Sequence, residues 1–240
     1  MTLASTFIST VECIKPWPEF AEIAQCEFDI NAYNDGLFAE HEFDFPNALA
    51  RAVPKRKSEY LAGRICASKL MHQRNMAGPI NTGPNREPVF PSPHIVGTIT
   101  HTNLADNRNL AMAAIADAKD FYGIGLDVEG FINTETYANI KDKIINPTEE
   151  TLIERLEIPN NQAFTIIFSV KESFYKAGFA LVKRFFGFSA IEITQIDIAK
   201  QLIHFRIIET LNPIINSRDN HQARFLMTDN CVLTAAAIAR

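Results

Sequence analysis

The chain has 240 residues, more than the ~100–150 of a typical domain, so one large domain or two small ones both fit. Hydrophobic residues make up 47% and charged residues 21%, with 10 glycines and 12 prolines, which excludes a disordered chain, a coiled coil and a collagen-like rod. A formal charge of −5 argues against a general polyanion binder, so no nucleic-acid partner is expected.

From the N-terminus, MTLASTFISTVEC lacks the basic region of a signal peptide, and the acidic stretch behind it does not suit a mitochondrial presequence. No apolar run approaches the ~20 residues that span a bilayer. Cys13, Cys26, Cys66 and Cys231 are scattered without a C-x-x-C pair, which points to reduced thiols. A cytoplasmic protein without a membrane partner is expected. The histidines show neither H-x-H nor H-E-x-x-H spacing, so zinc has no support. Residues 1–50 hold nine acids and one lysine, whereas residues 51–74 hold seven Lys/Arg and the single acid Glu59. A basic site on an acidic protein suits a small anionic ligand.

After this acidic lead-in, apolar spacing predicts a helix over 58–76, with Leu61, Ala62, Ile65, Cys66 and Leu70 on one face. A Pro/Gly/Asn-rich loop over 78–93 precedes strand-like runs at 95–100 and 110–116. A further strand is expected over 121–129. Asn146 followed by Pro147 and the acids Glu149 and Glu150 reads as a helix start. A long helix over 162–183 precedes strands near 191–196, 201–208, 224–228 and 231–239. Helix followed by strands, twice over, predicts an α+β fold of two pseudo-symmetric halves, 1–118 and 119–240, each a helix packed on a small antiparallel sheet.

Four clusters carry polar chemistry. In Gly123-Ile124-Gly125-Leu126-Asp127-Val128-Glu129, strand alternation puts Asp127 and Glu129 on one face. Two such carboxylates either bind a hard cation, Mg²⁺ or Mn²⁺, or run out hydrated into solvent. A dinucleotide loop is excluded because Val128 occupies the third glycine position of G-x-G-x-x-G. The helix around Phe168-Ser-Val-Lys171-Glu172-Ser-Phe-Tyr-Lys176 is apolar on nearly every side, so its charges need partners. An internal Glu172–Lys176 pair, four residues apart, explains two of them and leaves Lys171 over. A metal ligand with a proton-handling lysine is the functional reading. The third cluster ends the strand GTITHT at Thr100 and His101, where a lone histidine is usually a surface or capping residue. The fourth is Lys55-Arg56-Lys57 with Arg64 and Arg86, a solvated face or an anion site.

Taken together, KRKSEYLAGR (55–64), REPVFP (86–91), GTITHT (97–102), GIGLDVE (123–129) and FSVKESFYKA (168–177) give the chain a family likeness. It resembles the 4′-phosphopantetheinyl transferases, in particular the surfactin-type group and its enterobactin-synthetase-component-D branch. Thr100 stands where serine is common, and Leu-Asp-Val-Glu replaces Ile-Asp-Ile-Glu; both are conservative. The resemblance implies a monomeric enzyme with one active site at the interface of its halves. The implied reaction moves the 4′-phosphopantetheine arm of coenzyme A to a serine of an apo acyl or peptidyl carrier protein. It also implies that Asp127, Glu129 and Glu172 hold Mg²⁺, with Mn²⁺ the alternative. Glu172 is then expected to accept the serine proton, directly or through a metal-bound water, and Lys176 to stabilise phosphate charge or assist the leaving group. Asp127, Glu172 and Lys176 form the expected catalytic set. For coenzyme A the expected ligands are Lys55, Arg56, Lys57, Arg64 and His101 at the 3′-phosphate, Arg86 and Thr100 at the nucleotide, and Asp127 and Lys171. The competing readings are a coenzyme A- or carrier-binding protein without catalysis and a Mg²⁺-dependent phosphodiesterase.

Overall fold

In the computed structural model, which describes residues 7–104 and 108–240, the acidic lead-in carries two strands, β1 (Glu12–Ile14) and β2 (Glu22–Phe28). Charge hides them in the sequence. Glu22 and Glu27 interrupt the apolar pattern of β2, yet Ala24, Cys26 and Phe28 alternate into the core. A single-turn helix α1 (Leu37–Glu40) adds Leu37 and Phe38 to that core. Helix α2 (Pro54–Gln73) begins at Pro54 rather than Ser58, because proline's missing N–H is harmless in the first turn. The basic run Lys55-Arg56-Lys57 therefore forms the opening turn of α2.

A small hairpin, β3 (Asn81–Thr82) and β4 (Pro88–Val89), leads to the long strands β5 (Ile95–Asn103) and β6 (Asn109–Asp117). The sheet order is β1-β2-β6-β5, with β2 antiparallel to both β1 and β6. Leu61, Cys66 and Leu70 of α2 pack on Ala24 and Cys26 of β2 and on Ala111 and Ala113 of β6. Each fully buried leucine contributes about 1.5–3 kcal/mol relative to exposure.

The chain divides into two compact units, Met1–Ala116 and Asp117–Arg240, each with its own core. In the second, β7 (Phe121–Gly130) is followed by α3 (Thr134–Ile144), α4 (Pro147–Glu154) and α5 (Asn160–Val182). The strands β8 (Ile191–Asp197), β9 (Leu202–Ile207), β10 (Asn220–Met227) and β11 (Cys231–Ala239) complete it. Every neighbouring pair in the order β7-β11-β10-β9-β8 is antiparallel. Helix α3 escapes the apolar pattern because only Ile144 among its residues is buried. Asn146 caps α4 in a reciprocal box with Glu149, each side chain accepting the other's backbone N–H at 2.9–3.0 Å. Helix α5 lies on this sheet, its Phe174 against Phe205 and Phe186.

The fold is thus α+β, with helices packed on an antiparallel sheet in each half. The halves differ in sheet size, four strands against five. Among the described residues no helix is long and apolar enough to cross a membrane.

Candidate active site

Two glycines set the site of the second unit. A Cβ on Gly123 would lie 2.2 Å from the Ala177 carbonyl oxygen, and one on Gly125 would lie 1.7 Å from that of Ser173. Both distances are far inside van der Waals contact, so helix α5 reaches β7 only because these positions carry no side chain. Alternation then turns Asp127, and after it Glu129, toward α5.

Asp127 is 6% exposed. Lys176 donates from Nζ to Asp127 Oδ1 at 2.7 Å and to the Leu126 carbonyl at 3.0 Å, while Ser169 donates to Asp127 Oδ2 at 2.8 Å. Lys176 is therefore engaged with β7, so the simple helical pair with Glu172 is not how its charge is used. Burial lifts the Glu172 carboxyl above the usual range; the Lys176 charge opposes this and the Asp127 charge adds to it. Glu129 is half-buried at the next inward position of the strand.

Among the described residues no three His, Cys, Asp or Glu side chains already converge as metal ligands. The chemistry of the set still fits a hard divalent cation. Its donors are carboxylate oxygens, and Glu172 is held toward its neutral form by burial and by Asp127, a cost that a cation would offset.

In the first unit another glycine permits another close approach. A Cβ on Gly63 would lie 2.5 Å from Ile99 Cγ2, so α2 presses on β5 at Ile99. His101, two residues along the same face, meets the opening turns of α2. Its Nε2 stands 3.1 Å from Arg56 Nη1 and 3.7 Å from Glu59 Oε2. Arg56 and Lys55 lie 3.8 and 3.9 Å from the Glu59 carboxylate. Glu59 is buried while the heads of Lys55 and Arg56 are half-exposed, an arrangement that presents positive charge outward over one buried acid. Burial raises the Glu59 carboxyl, against the pull of Lys55 and Arg56.

Residues 45–116 match the 4′-phosphopantetheinyl transferase N-terminal domain, and residues 123–230 match the 4′-phosphopantetheinyl transferase superfamily. The chain belongs to the surfactin-type 4′-phosphopantetheinyl transferases. It is 28% identical over 180 residues to the enterobactin synthase component D of Salmonella typhi, covering 74% of this chain and 70% of that one. To the 4′-phosphopantetheinyl transferase Svp of Streptomyces mobaraensis it is 28% identical over 196 residues, 80% and 76% of the two chains. To PptT of Mycobacterium tuberculosis it is 32% identical over 148 residues, 61% of each chain.

Several residues expected at the site have protein partners of their own. Lys171, expected at coenzyme A, is 3% exposed; its ammonium donates to Glu149 Oε2 and to the Ile144 carbonyl, both at 2.8 Å. Glu149 also accepts from the Ile193 N–H at 2.8 Å, so this pair ties α5 to α4 and β8. Arg64, 5% exposed, turns inward to the carbonyls of Ile80 and Asn81 and to Thr82 Oγ1 at 3.2–3.3 Å, with its guanidinium over the Tyr60 ring. Lys57 reaches Asp35 at 3.0 Å and lies above Phe45. Thr100 is buried in β5 on the face opposite His101, and Arg86 sits exposed in the β3–β4 loop with φ +70°. Of the basic set, the structure gathers Lys55, Arg56 and His101.

Sequence reasoning missed Glu59 as the centre of that cluster, and Ser169 and Thr234 beneath Asp127. The signals were present. Glu59 stands four residues after Lys55 and three after Arg56, and Thr234 is the one hydroxyl in the apolar run CVLTAAAIA.

Proposed function

We propose that this transferase moves the 4′-phosphopantetheine arm of coenzyme A onto a serine of an apo acyl or peptidyl carrier protein and releases adenosine 3′,5′-bisphosphate. The carrying observation is Asp127 held between Lys176 and Ser169 beside the lifted carboxyl of Glu172. In the reaction a bond forms from serine Oγ to the phosphorus of the arm, and the bond from that phosphorus to the bridging oxygen breaks. A Mg²⁺ ion, or Mn²⁺ in its place, held by Asp127, Glu129 and Glu172 would supply charge neutralisation at the pyrophosphate. Glu172 accepts the serine proton. Lys176 balances charge on the phosphates. Lys55, Arg56 and His101 bind the 3′-phosphate, with Glu59 keeping their heads together. Arg86, exposed in the β3–β4 loop, borders the nucleotide, whereas Thr100, buried on the β5 face opposite His101, serves the frame. Lys57, Arg64 and Lys171 serve the frame, as their partners Asp35, residues 80–82 and Glu149 indicate.

The test is intact-mass measurement of apo carrier domains incubated with the transferase, coenzyme A and Mg²⁺. A gain of one phosphopantetheine arm, lost on adding EDTA, is expected. No gain on any acyl or peptidyl carrier would sink the reading.

The 3′-phosphate assignment is tested by coenzyme A against 3′-dephospho-coenzyme A. Arg56→Ala and His101→Ala are each expected to reduce the preference for coenzyme A about tenfold, the scale of one charge-assisted hydrogen bond. Arg64→Ala is expected to lower the melting temperature and keep the preference, because its donors face backbone. Unchanged discrimination in Arg56→Ala and His101→Ala would move the phosphate site elsewhere.

For the carrier, the proposed docking patch follows α5. Phe185 is 79% exposed, Lys183 ends the helix in a left-handed conformation, and Arg184 makes a half-exposed pair with Glu209 at 3.4 Å. Phe186, by contrast, is 5% exposed and belongs to the core. Carrier domains are acidic, so cations on the rim favour encounter. Replacing both Lys183 and Arg184 by Glu is expected to raise the carrier KM several-fold and leave the coenzyme A KM unchanged. The wild-type carrier KM should rise with salt as rim charges are screened. An unchanged carrier KM in the double variant would place docking elsewhere.

A further inference from the structure

Under Asp127 lie three hydroxyls in otherwise apolar surroundings: Ser169 and Ser173 of α5 and Thr234 of β11, each 0% exposed. Ser169 Oγ is 2.8 Å from Asp127 Oδ2 and 2.9 Å from Thr234 Oγ1, which is 2.7 Å from Ser173 Oγ. Burying a hydroxyl is unfavourable unless it is hydrogen-bonded, and three alanine- or valine-like residues would fill the same space without that requirement.

Counting hydrogens fixes the direction of the chain. Three hydroxyls carry three hydrogens, and three short contacts must each contain one. An ionised carboxylate only accepts, so the first contact uses the Ser169 hydrogen. The second must then use that of Thr234, and the third that of Ser173. Ser173 Oγ also lies 3.1 Å from the Thr234 carbonyl, which shares its hydrogen and anchors the far end of the row. All three dipoles therefore point at Asp127 Oδ2, while Lys176 faces Oδ1.

We propose that Ser173, Thr234 and Ser169 form a hydroxyl ladder that positions Asp127, fixing its rotamer so that its carboxylate is preorganised for the divalent cation. The inference rests on the assignment of Asp127 as a cation ligand. None of the three hydroxyls touches substrate; they act through the carboxylate. Groups that orient a metal ligand typically change metal affinity by about 10–100-fold when removed.

The experiment measures Mn²⁺ uptake by electron paramagnetic resonance, with coenzyme A present and a protein-free coenzyme A blank. Wild type is compared with Ser169→Ala, Thr234→Val, Thr234→Ser and Asp127→Asn, and melting temperature is recorded for each. Ser169→Ala is expected to weaken Mn²⁺ binding about tenfold or more, and Thr234→Val, which keeps volume, to weaken it less in the same direction. Thr234→Ser restores the hydroxyl and should bind as wild type. The KM for coenzyme A should rise no more than the Mn²⁺ loss explains. Wild-type Mn²⁺ affinity in folded Ser169→Ala or Thr234→Val, with only a lower melting temperature, would overturn the ladder and leave it a packing feature. Failure of both to fold would overturn it too, since a positioning device leaves the core standing. Wild type taking up no Mn²⁺, or Asp127→Asn taking up as much as wild type, would instead remove the cation site itself.

Discussion

Asp127→Asn and Glu172→Gln are each expected to lower kcat by on the order of 10²–10³-fold, the loss that follows when one preorganised charged group is taken from a transition-state site. Each substitution keeps volume and deletes a negative charge. Asparagine at 127 can still accept from Ser169 Oγ, and Lys176, with a quarter of its side chain exposed, can turn to water. The fold should therefore survive, with far-UV circular dichroism unchanged and melting lowered only modestly. Glu129→Gln is expected to be milder, because Glu129 is half-buried and farther along the strand. Near-normal turnover by Asp127→Asn or Glu172→Gln at saturating Mg²⁺ would take that residue out of the site.

The second large effect is on stability. Lys171→Met leaves the Glu149 carboxylate, 0% exposed, without its ammonium. Breaking one side of a buried pair costs about 3–5 kcal/mol, a large share of the ~5–15 kcal/mol that stabilises a domain. A pronounced fall in the urea midpoint is therefore expected. The double variant Lys171→Met/Glu149→Gln should recover most of the loss. Glutamine removes the unpaired charge and retains an oxygen for the Ile193 N–H or the Asn146 N–H. Equal destabilisation of the single and double variants would show that charge pairing is not what Lys171 supplies. The contrast with Asp127→Asn is diagnostic, one variant stable and inactive, the other impaired in folding.

Much of the fold is legible in the chain because its causes are local. Apolar spacing marks α2 and α5, the Asn-Pro-Thr-Glu start marks α4, and alternating or continuous apolar runs mark β5 to β11. The strands of the lead-in and helix α3 are not legible, since Glu22 and Glu27 break the apolar run of β2 and α3 buries only Ile144. The candidate site divides the same way. Asp127, Glu172 and Lys176 can be picked out as residues needing an explanation, while Glu59, Ser169 and Thr234 look ordinary until their neighbours are known.

Lys171 and Lys176 show where local pattern stops. Both are lysines on one apolar helix, five positions apart, and the sequence marks each as a charge in need of a partner. Residues four apart along a helix suggested a Glu172–Lys176 pair, and that is all a helical repeat contains. The actual partners come from other segments: Glu149, capping α4, for Lys171, and Asp127, on β7, for Lys176. Arg56 and Arg64 divide likewise, one toward His101 and one toward the backbone of 80–82. Motif and periodicity are properties of neighbouring residues, so family, fold class and the reactive residue types are written in the chain. Which cation meets which acid depends on burial and on close approaches, such as α5 onto Gly123 and Gly125, that exist only once distant segments have packed.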